Sequence, residues 1–382
     1  MATQTDTVNS MSDVSVAPLT KGRSLWRDAF IRMRANRAAV TSAIVLFVIA
    51  CACIFGPWVS PHSYDAVYPN FVKVPASLQP YPRDADIGPL VERAMKRARL
   101  NIESVEVDGR KLSLVVTSSR PIDERNTQYL DRLDVLSNAK IAERSADGLK
   151  VTMTADVMRQ YFLFGTDQNG RDLLTRTLIA GRVSLAIGLL ATGVALLIGV
   201  TYGAVSGYFG GRIDNMMMRI VDILYSLPFI FFVILLVVFF GRNFILMFIA
   251  VGAVDWLDMA RIVRGQTLSI KRQEYVQAAE AMGVSNAGII GRHIIPNTLG
   301  PVVVYMTLQV PRVILLESFL SFLGLGVQEP LTSWGVLISE GQRSMQGGAW
   351  MLIFPSIFLT TTLFALNFIG DGLRDALDPK DR

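Results

Sequence analysis

The sequence predicts an all-α polytopic membrane protein of six transmembrane helices, with one small α+β domain inserted on the extracytoplasmic side. Three observations carry that prediction. The 382 residues are 51% hydrophobic and only 18% charged, with a mean hydropathy of +0.39, and a soluble chain of this length holds more charge. Its apolar residues gather into runs approaching the roughly 20 needed to cross a hydrocarbon core. Residues 60–162 break the pattern, with charges of both signs and no membrane-length apolar run.

Residues 1–37 read as a cytoplasmic tail and an interfacial helix. Met1 to Thr20 is polar, rich in Ser and Thr, and too poor in large apolar side chains to offset the entropy of ordering. From Lys21 to Arg37, the bases Lys21, Arg23, Arg27, Arg32, Arg34 and Arg37 interleave with Leu25, Trp26, Phe30, Ile31 and Met33, the pattern of a helix lying in the membrane interface. The first span follows at 38–59, closed by Pro57 and Pro61. Its basic flank places the N-terminus in the cytoplasm, and the lack of a small-residue cleavage site favours an anchor over a secretory signal.

Within 60–162, Asp86 to Leu100 carries Ile87, Leu90, Val91, Ala94, Met95 and Ala98 on one helical stripe. Ser104 to Ser118 alternates Val105, Val107, Leu112, Leu114 and Val116 around Asp108-Gly109, which predicts a hairpin. Asn126 to Asn138 reads as a helix through Tyr129, Leu130, Leu133 and Leu136, and Asp147-Gly148 marks a second hairpin. The domain reads as either a stable spacer or a docking surface for an external partner.

Residues 163–382 form the core. Turn residues Gly165, Asp167, Asn169 and Gly170 precede an interfacial helix at Leu173, then a second span over 183–206, where Gly199 and Gly203 permit close helix approach and Gly188 and Gly193 extend that thin face. The third span covers 217–240, with Arg219 and Asp222 near its cytoplasmic end and Pro228 inside; the fourth, 244–256, is short. The fifth, 298–320, holds Glu317, which reads equally as a functional group or a hydrogen-bonded packing residue. Ser321 to Gly348 reads as an external lid or re-entrant turn, before a last span at 350–369. Six spans leave both termini in the cytoplasm, although Arg171, Arg176, Arg182 and Arg242 fall on the outer side against the positive-inside rule.

Arg261, Arg264, Lys271 and Arg272 hold the amphipathic stretch 274–297 inside. Gln277 to Met282 form a helix that Gly283 ends in a left-handed conformation, Ser285 or Asn286 caps a second helix, and Pro296 stops or kinks it. The chemistry for independent work is missing. No G-x-x-x-x-G-K-[ST] loop is present to cradle ATP phosphates, and no G-x-S-x-G elbow or H-E-x-x-H helix supports a hydrolase. Two histidines, His62 and His293, and two cysteines, Cys51 and Cys53, provide no metal cluster. The net charge of +5 is spread around apolar runs rather than gathered as a nucleic-acid footprint.

The spacing of Gln277, Ala278, Ala279, then Gly283, then His293, Ile295 and Pro296 resembles the coupling signature of ABC importer permeases. GTDQNGRDLL at Gly165, ESFLSFLGLG at Glu317 and the terminal NFIGDGLRDALDPKDR narrow the resemblance to the C-type permease of oligopeptide and dipeptide importers, binding-protein-dependent inner-membrane components. That resemblance implies the type I ABC importer permease fold in the bacterial inner membrane. It implies a homologous B-type permease, two ABC ATPase subunits that use ATP and Mg, an extracytoplasmic peptide-binding protein and a peptide substrate. No enzyme activity or bound cofactor is implied for this chain. Glu274, Gln277, Ala278, Ala279, Glu280, Gly283, His293 and Pro296 become the ATPase-coupling set, with Gln277 replacing the family's usual Glu. Ser226, Pro228, Glu317 and Ser318, polar or helix-breaking within spans, are the pathway candidates. Residues 60–162 are longer than the loop typical of such permeases. Dipeptide, murein-peptide or nickel uptake are the alternatives within the family; a proton-coupled carrier using Asp222 and Glu317, or a membrane sensor, are the alternatives outside it.

Overall fold

The computed structural model describes residues 25–240 and 244–377. The expected tail Met1 to Thr20, Lys21, Arg23, Arg242 and the final residues from 378 lie outside the described residues. Helix α1 (Leu25–Ala35) ends at Asn36, whose extended backbone and side chain, accepting the Ala39 N–H at 3.2 Å, start α2 (Arg37–Val59). Only Ala39 and Cys53 of α2 are buried, so an apolar helix touches its neighbours along one edge and leaves the rest to a lipid-like surround.

Residues 60–162 fold as an α+β unit: α3 (Asp84–Arg97), β1 (Asn101–Asp108), β2 (Lys111–Thr117), a one-turn α4 (Gln128–Asp131), β3 (Leu136–Arg144) and β4 (Lys150–Val157). The strands form one antiparallel sheet in the order β1-β2-β4-β3. Alternation decides which face is covered. Leu112, Leu114, Val116, Val151, Met153 and Ala155 are buried on the side shared with Ile87, Val91 and Met95 of α3. Both expected hairpins form, with Gly109 and Gly148 at positive φ. The expected helix over 126–138 does not: it stops at Asp131, because Leu136 pairs with Val157 and is worth more as the buried first residue of β3.

The core begins with α5 (Leu173–Phe209), one unbroken helix of 37 residues and about 55 Å. It merges the expected interfacial helix and second span, since nothing between them breaks the hydrogen-bond ladder. Its glycines are contact points: a Cβ on Gly203 would lie 2.4 Å from the Ala260 carbonyl oxygen, and one on Gly199 2.5 Å from the Met259 Cβ. Gly188 likewise meets Ile314, whereas Gly193 faces open space and adds nothing to the thin face.

Beyond α5 the expected third span is split at Pro228 into α6 (Gly211–Ser226) and α7 (Phe229–Phe240), with Leu227 extended before the proline. Helix α8 (Phe244–Ile270) runs well past Trp256. Helices α9 (Glu274–Ala281) and α10 (Asn286–Ile289) lead through a π turn at Ile290–Ile294 into α11 (Ile295–Phe322), followed by α12 (Trp334–Arg343) and α13 (Trp350–Leu377). Among the described residues four helical stretches are long and apolar enough to cross a membrane: Arg37–Val59, Leu173–Phe209, Asn286–Phe322 and Trp350–Leu377.

Candidate functional site

The stretch 274–297 forms a surface fixed from behind by apolar anchors. Val276 and Ala279 of α9, with Ile289, Ile290 and Ile294, pack into one cluster with Val200, Ala204 and Tyr208 of α5, Met259 and Val263 of α8, and Val302 of α11. Polar ties reinforce it: the Tyr208 hydroxyl donates to Asn286 at 3.0 Å, and Lys271 Nζ donates to the Tyr208 carbonyl at 2.6 Å. The opposite face is open. Glu274, Gln277, Ala278, Glu280 and Gly283 are exposed, and Met282 is 77% exposed. Gly283 adopts φ +79°, and Ser285 accepts the Gly288 N–H at 3.3 Å to cap α10.

Three of the residues expected to couple sit differently from expectation: Ala279 is buried in the apolar cluster, and Pro296 and His293 lie at the turn into α11. Pro296 does not stop the helix; it occupies the first turn of α11, where its missing N–H is not needed. The π turn before it hands the Ile295 N–H to Ile290, five residues back, and the wider turn relieves the clash of the proline ring with the preceding turn. His293 is half-buried, its ring centroid 6.4 Å from that of Tyr275. Gln277 turns its amide onto the Arg272 carbonyl oxygen at 3.3 Å.

A second region lies where α6, α8 and α11 meet around a cavity of about 620 Å³. Residues Asp255, Asp258, Arg261 and Arg264 follow at intervals of three along α8. Asp258 pairs with Arg312 at 3.0 Å, Arg261 with Asp222 at 2.8 Å, and Arg264 grips Asp214 with two bonds of 2.5 Å. The Arg264 bonds hold the Asp214 carboxyl below its ordinary value, outweighing burial, and the Ser206 hydroxyl adds to the same effect. These partners explain why α8 continues through its charges.

Helix α11 has two working faces. Arg312, Leu315, Leu316 and Phe319 line the cavity. Glu317 points the other way and is fully buried, accepting from Ser321 at 2.7 Å and Ser184 of α5 at 3.2 Å. Ser184 also accepts the Trp334 N–H, and Ser333 caps α12, so Glu317 fastens the expected lid segment into the bundle. Ser318 is 7% exposed. Ser226 and Pro228 are exposed on either side of the cavity residue Leu227. None of the four pathway candidates lines the cavity: Ser226 and Pro228 are the chain neighbours of its residue Leu227, and Glu317 and Ser318 do not border it. Arg312 was legible by the rule that singled out Glu317, an ionisable side chain within an apolar run, and was missed.

At the far end of α5, the GTDQNGRD segment is a corner. Asp167 accepts the backbone N–H groups of Asn169 and Arg171, Nε of Arg171 at 2.8 Å, and the guanidinium of Arg176. Arg171 reaches Glu329 at 2.8 Å and Arg176 reaches Glu340 at 2.9 Å. Burial opposes the Arg171 charge, but Asp167 and Glu329 prevail and raise its pKa. Thr166 donates to the Phe71 carbonyl and accepts the Val74 N–H, tying the α+β unit to this corner.

Compared with known proteins, the chain is 43% identical to the oligopeptide transport system permease protein OppC of Haemophilus influenzae, over 99% of this chain and 96% of the relative. The chain belongs to the OppC family of oligopeptide transport permeases. The OppC of Escherichia coli K12 is 47% identical over 95% of this chain and 93% of its own. Two family descriptions match: the N-terminal TM domain of oligopeptide transport permease C at residues 24–80, and the binding-protein-dependent transport system inner membrane component at 199–382. A dipeptide permease, DppC of Bacillus subtilis, is 50% identical but over 57% of this chain. Residues 81–198, which hold most of the α+β unit, lie between the two matched family ranges.

Proposed function

We propose that this chain is one permease subunit of an ATP-driven importer of oligopeptides in the bacterial inner membrane, working without an ATPase site of its own. One observation carries the reading: in an OppC-family chain, an exposed helical surface at 274–297 is locked by one apolar cluster to α5, α8 and α11, two of which also wall the cavity. Force applied at that surface reaches the cavity through side chains already in contact. The work comes from two partner ABC ATPase subunits using ATP and Mg, and the second half of the pathway from a B-type permease. An extracytoplasmic binding protein delivers the peptide.

In this reading the fold is that of type I importer permeases. The two further spans are completed by α6 with α7 and by α8, giving six, with both termini in the cytoplasm. The α+β unit at the other end of α5 is extracytoplasmic. Glu274, Gln277, Ala278, Glu280 and Gly283 form the ATPase-facing set, Ala279 anchors it from behind, and His293 and Pro296 shape its base. The pathway runs along the cavity, past Ser226 and Pro228. Transport requires that ATP and the loaded binding protein favour different states of the permease pair.

The test is reconstitution of the chain with a B-type permease, the ATPase pair and the binding protein in proteoliposomes. Peptide with binding protein is expected to stimulate ATP hydrolysis and uptake, and Gly283→Pro to abolish both while the complex still assembles. Uptake by the isolated chain down a proton gradient would overturn the reading. Dipeptide uptake is the second reading, favoured by the likeness to DppC over the shorter stretch; tripeptides failing where dipeptides succeed would select it.

A further inference from the structure

The cavity between α6, α8 and α11 has apolar walls, including Leu224, Leu227, Leu315 and Phe319, and a polar end. At that end Asp255 borders the cavity, and a second buried residue, Gln309, touches Asp255 without lining the cavity. Asp255 is 5% exposed and Gln309 2%. Gln309 donates its amide nitrogen to the Asp255 backbone carbonyl at 3.2 Å. That leaves Gln309 Oε1, and with it Asp255 Oδ2, without a hydrogen-bond partner among the described residues. Buried polar atoms are almost always paired, and a carboxylate oxygen left bare within apolar helices marks a place where something else donates.

The chemistry of the donor is constrained. A lone carboxylate oxygen is too little for a hard divalent cation, which gathers six or more ligands. It suits an ammonium group, which carries three donors and one positive charge. Farther toward the open side stands Arg312, its side chain 58% exposed and oriented by Asp258 at 3.0 Å. Its guanidinium offers donors to carbonyl or carboxylate oxygens. A cavity that is acceptor-lined at its buried end, cationic at its open end and apolar between matches the polarity of a short peptide.

We propose that Asp255 receives the α-ammonium group of a peptide in this cavity, with Arg312 facing the peptide's carbonyl or carboxylate oxygens. The apolar walls then accommodate side chains without selecting among them, so recognition falls on the backbone terminus that all peptides share. The inference rests on the peptide-importer reading above.

Two measurements on the complete transporter separate the two ideas. ATP-driven uptake of tri-alanine in the presence of binding protein tests the importer reading. Binding of radiolabelled tri-alanine to the nucleotide-free transporter in nanodiscs, without binding protein and against N-acetyl-tri-alanine, tests the site. The wild type is expected to prefer the free amino terminus by about tenfold, the scale of one charge-assisted hydrogen bond. Asp255→Asn should bring tri-alanine down to the level of the acetylated peptide, and Asp255→Glu should keep the preference, which a folding defect would not. Failure of uptake in the wild type removes the importer reading. Uptake without saturable tri-alanine binding, or with equal binding of both peptides by the wild type, overturns the site alone. Unchanged preference in Asp255→Asn overturns it too, and leaves a proton on Asp255 as what satisfies its buried carboxyl.

Discussion

Gly283 stands at φ +79° with open space where a Cβ would be, so only the backbone restricts what can replace it. An alanine there costs about 1–2 kcal/mol for the left-handed conformation, without any steric clash. Gly283→Ala is therefore expected to assemble normally, shift the angle between α9 and α10, and lower peptide-stimulated ATP hydrolysis while sparing the unstimulated rate; stimulated and basal hydrolysis measured on one preparation check this. Asp214 makes a different prediction at the same scale. Its carboxyl, ordinarily near 3.8, is lowered in the folded chain by the Arg264 bonds. Between the folded and unfolded values the unfolded chain binds more protons, so this pair's stabilisation is complete above the unfolded value and is lost as pH falls through the folded one. Thermal melts of wild type and Asp214→Asn should differ by a constant interval from neutral pH down to about 5 and converge below about 4. Convergence already at pH 6 would show that the Asp214 carboxyl is not held below its ordinary value.

At the scale of elements, the α5–α8 contact depends on glycine. A Cβ on Gly203 would sit 2.4 Å from the Ala260 carbonyl oxygen and 2.9 Å from the Arg264 nitrogen, both backbone atoms that cannot swing away. Gly203→Val must push α8 off α5, at a cost of about 1–3 kcal/mol for overpacking. Because Arg264 lies one turn on, the same displacement should weaken its hold on Asp214. A lowered melting temperature, with uptake falling more than assembly, is the expected result of heating and transport assays on one sample. The thin glycine face was legible in the sequence, as were both hairpins, the Gly283 break and the Ser285 cap, because each depends on a residue's own conformational preference. The course of α8 was not. Its charges look like the end of a span until Asp222, Asp214 and Arg312, 39 to 54 residues away, are seen to pair with them. Glu317 and Arg312 were ambiguous for the same reason: composition places an ionisable side chain in an apolar run, but only the neighbouring helices decide whether it meets two serines or a cavity.

For the whole molecule, α5 is the member that spans from one functional end to the other. Its first turn is capped by Asp172, in the corner bound to the α+β unit, and its last turns, through Val200, Ala204 and Tyr208, hold α9 and α10. The buried cores at the two ends share no residue: one is the cluster around Leu114, Met153 and Val91, and the other the cluster around Ala204, Val263 and Ile294. Between them lie the Thr166 bonds to Phe71 and Val74 and the stacking of Phe164 on Phe354 of α13. Two apolar cores that share no residue have no strong reason to unfold together. Leu114 is fully buried in the sheet, and Leu114→Ala should remove about 2–5 kcal/mol from the α+β unit. Calorimetry or limited proteolysis of the full chain should then show the 60–162 unit opening at lower temperature while the helical bundle keeps its own transition. If the unit only spaces the bundle, basal hydrolysis and stimulation by binding protein should both survive that opening. If it docks the binding protein, stimulation alone should vanish at the temperature where the unit opens, which makes this destabilised variant a direct discriminator between the two roles.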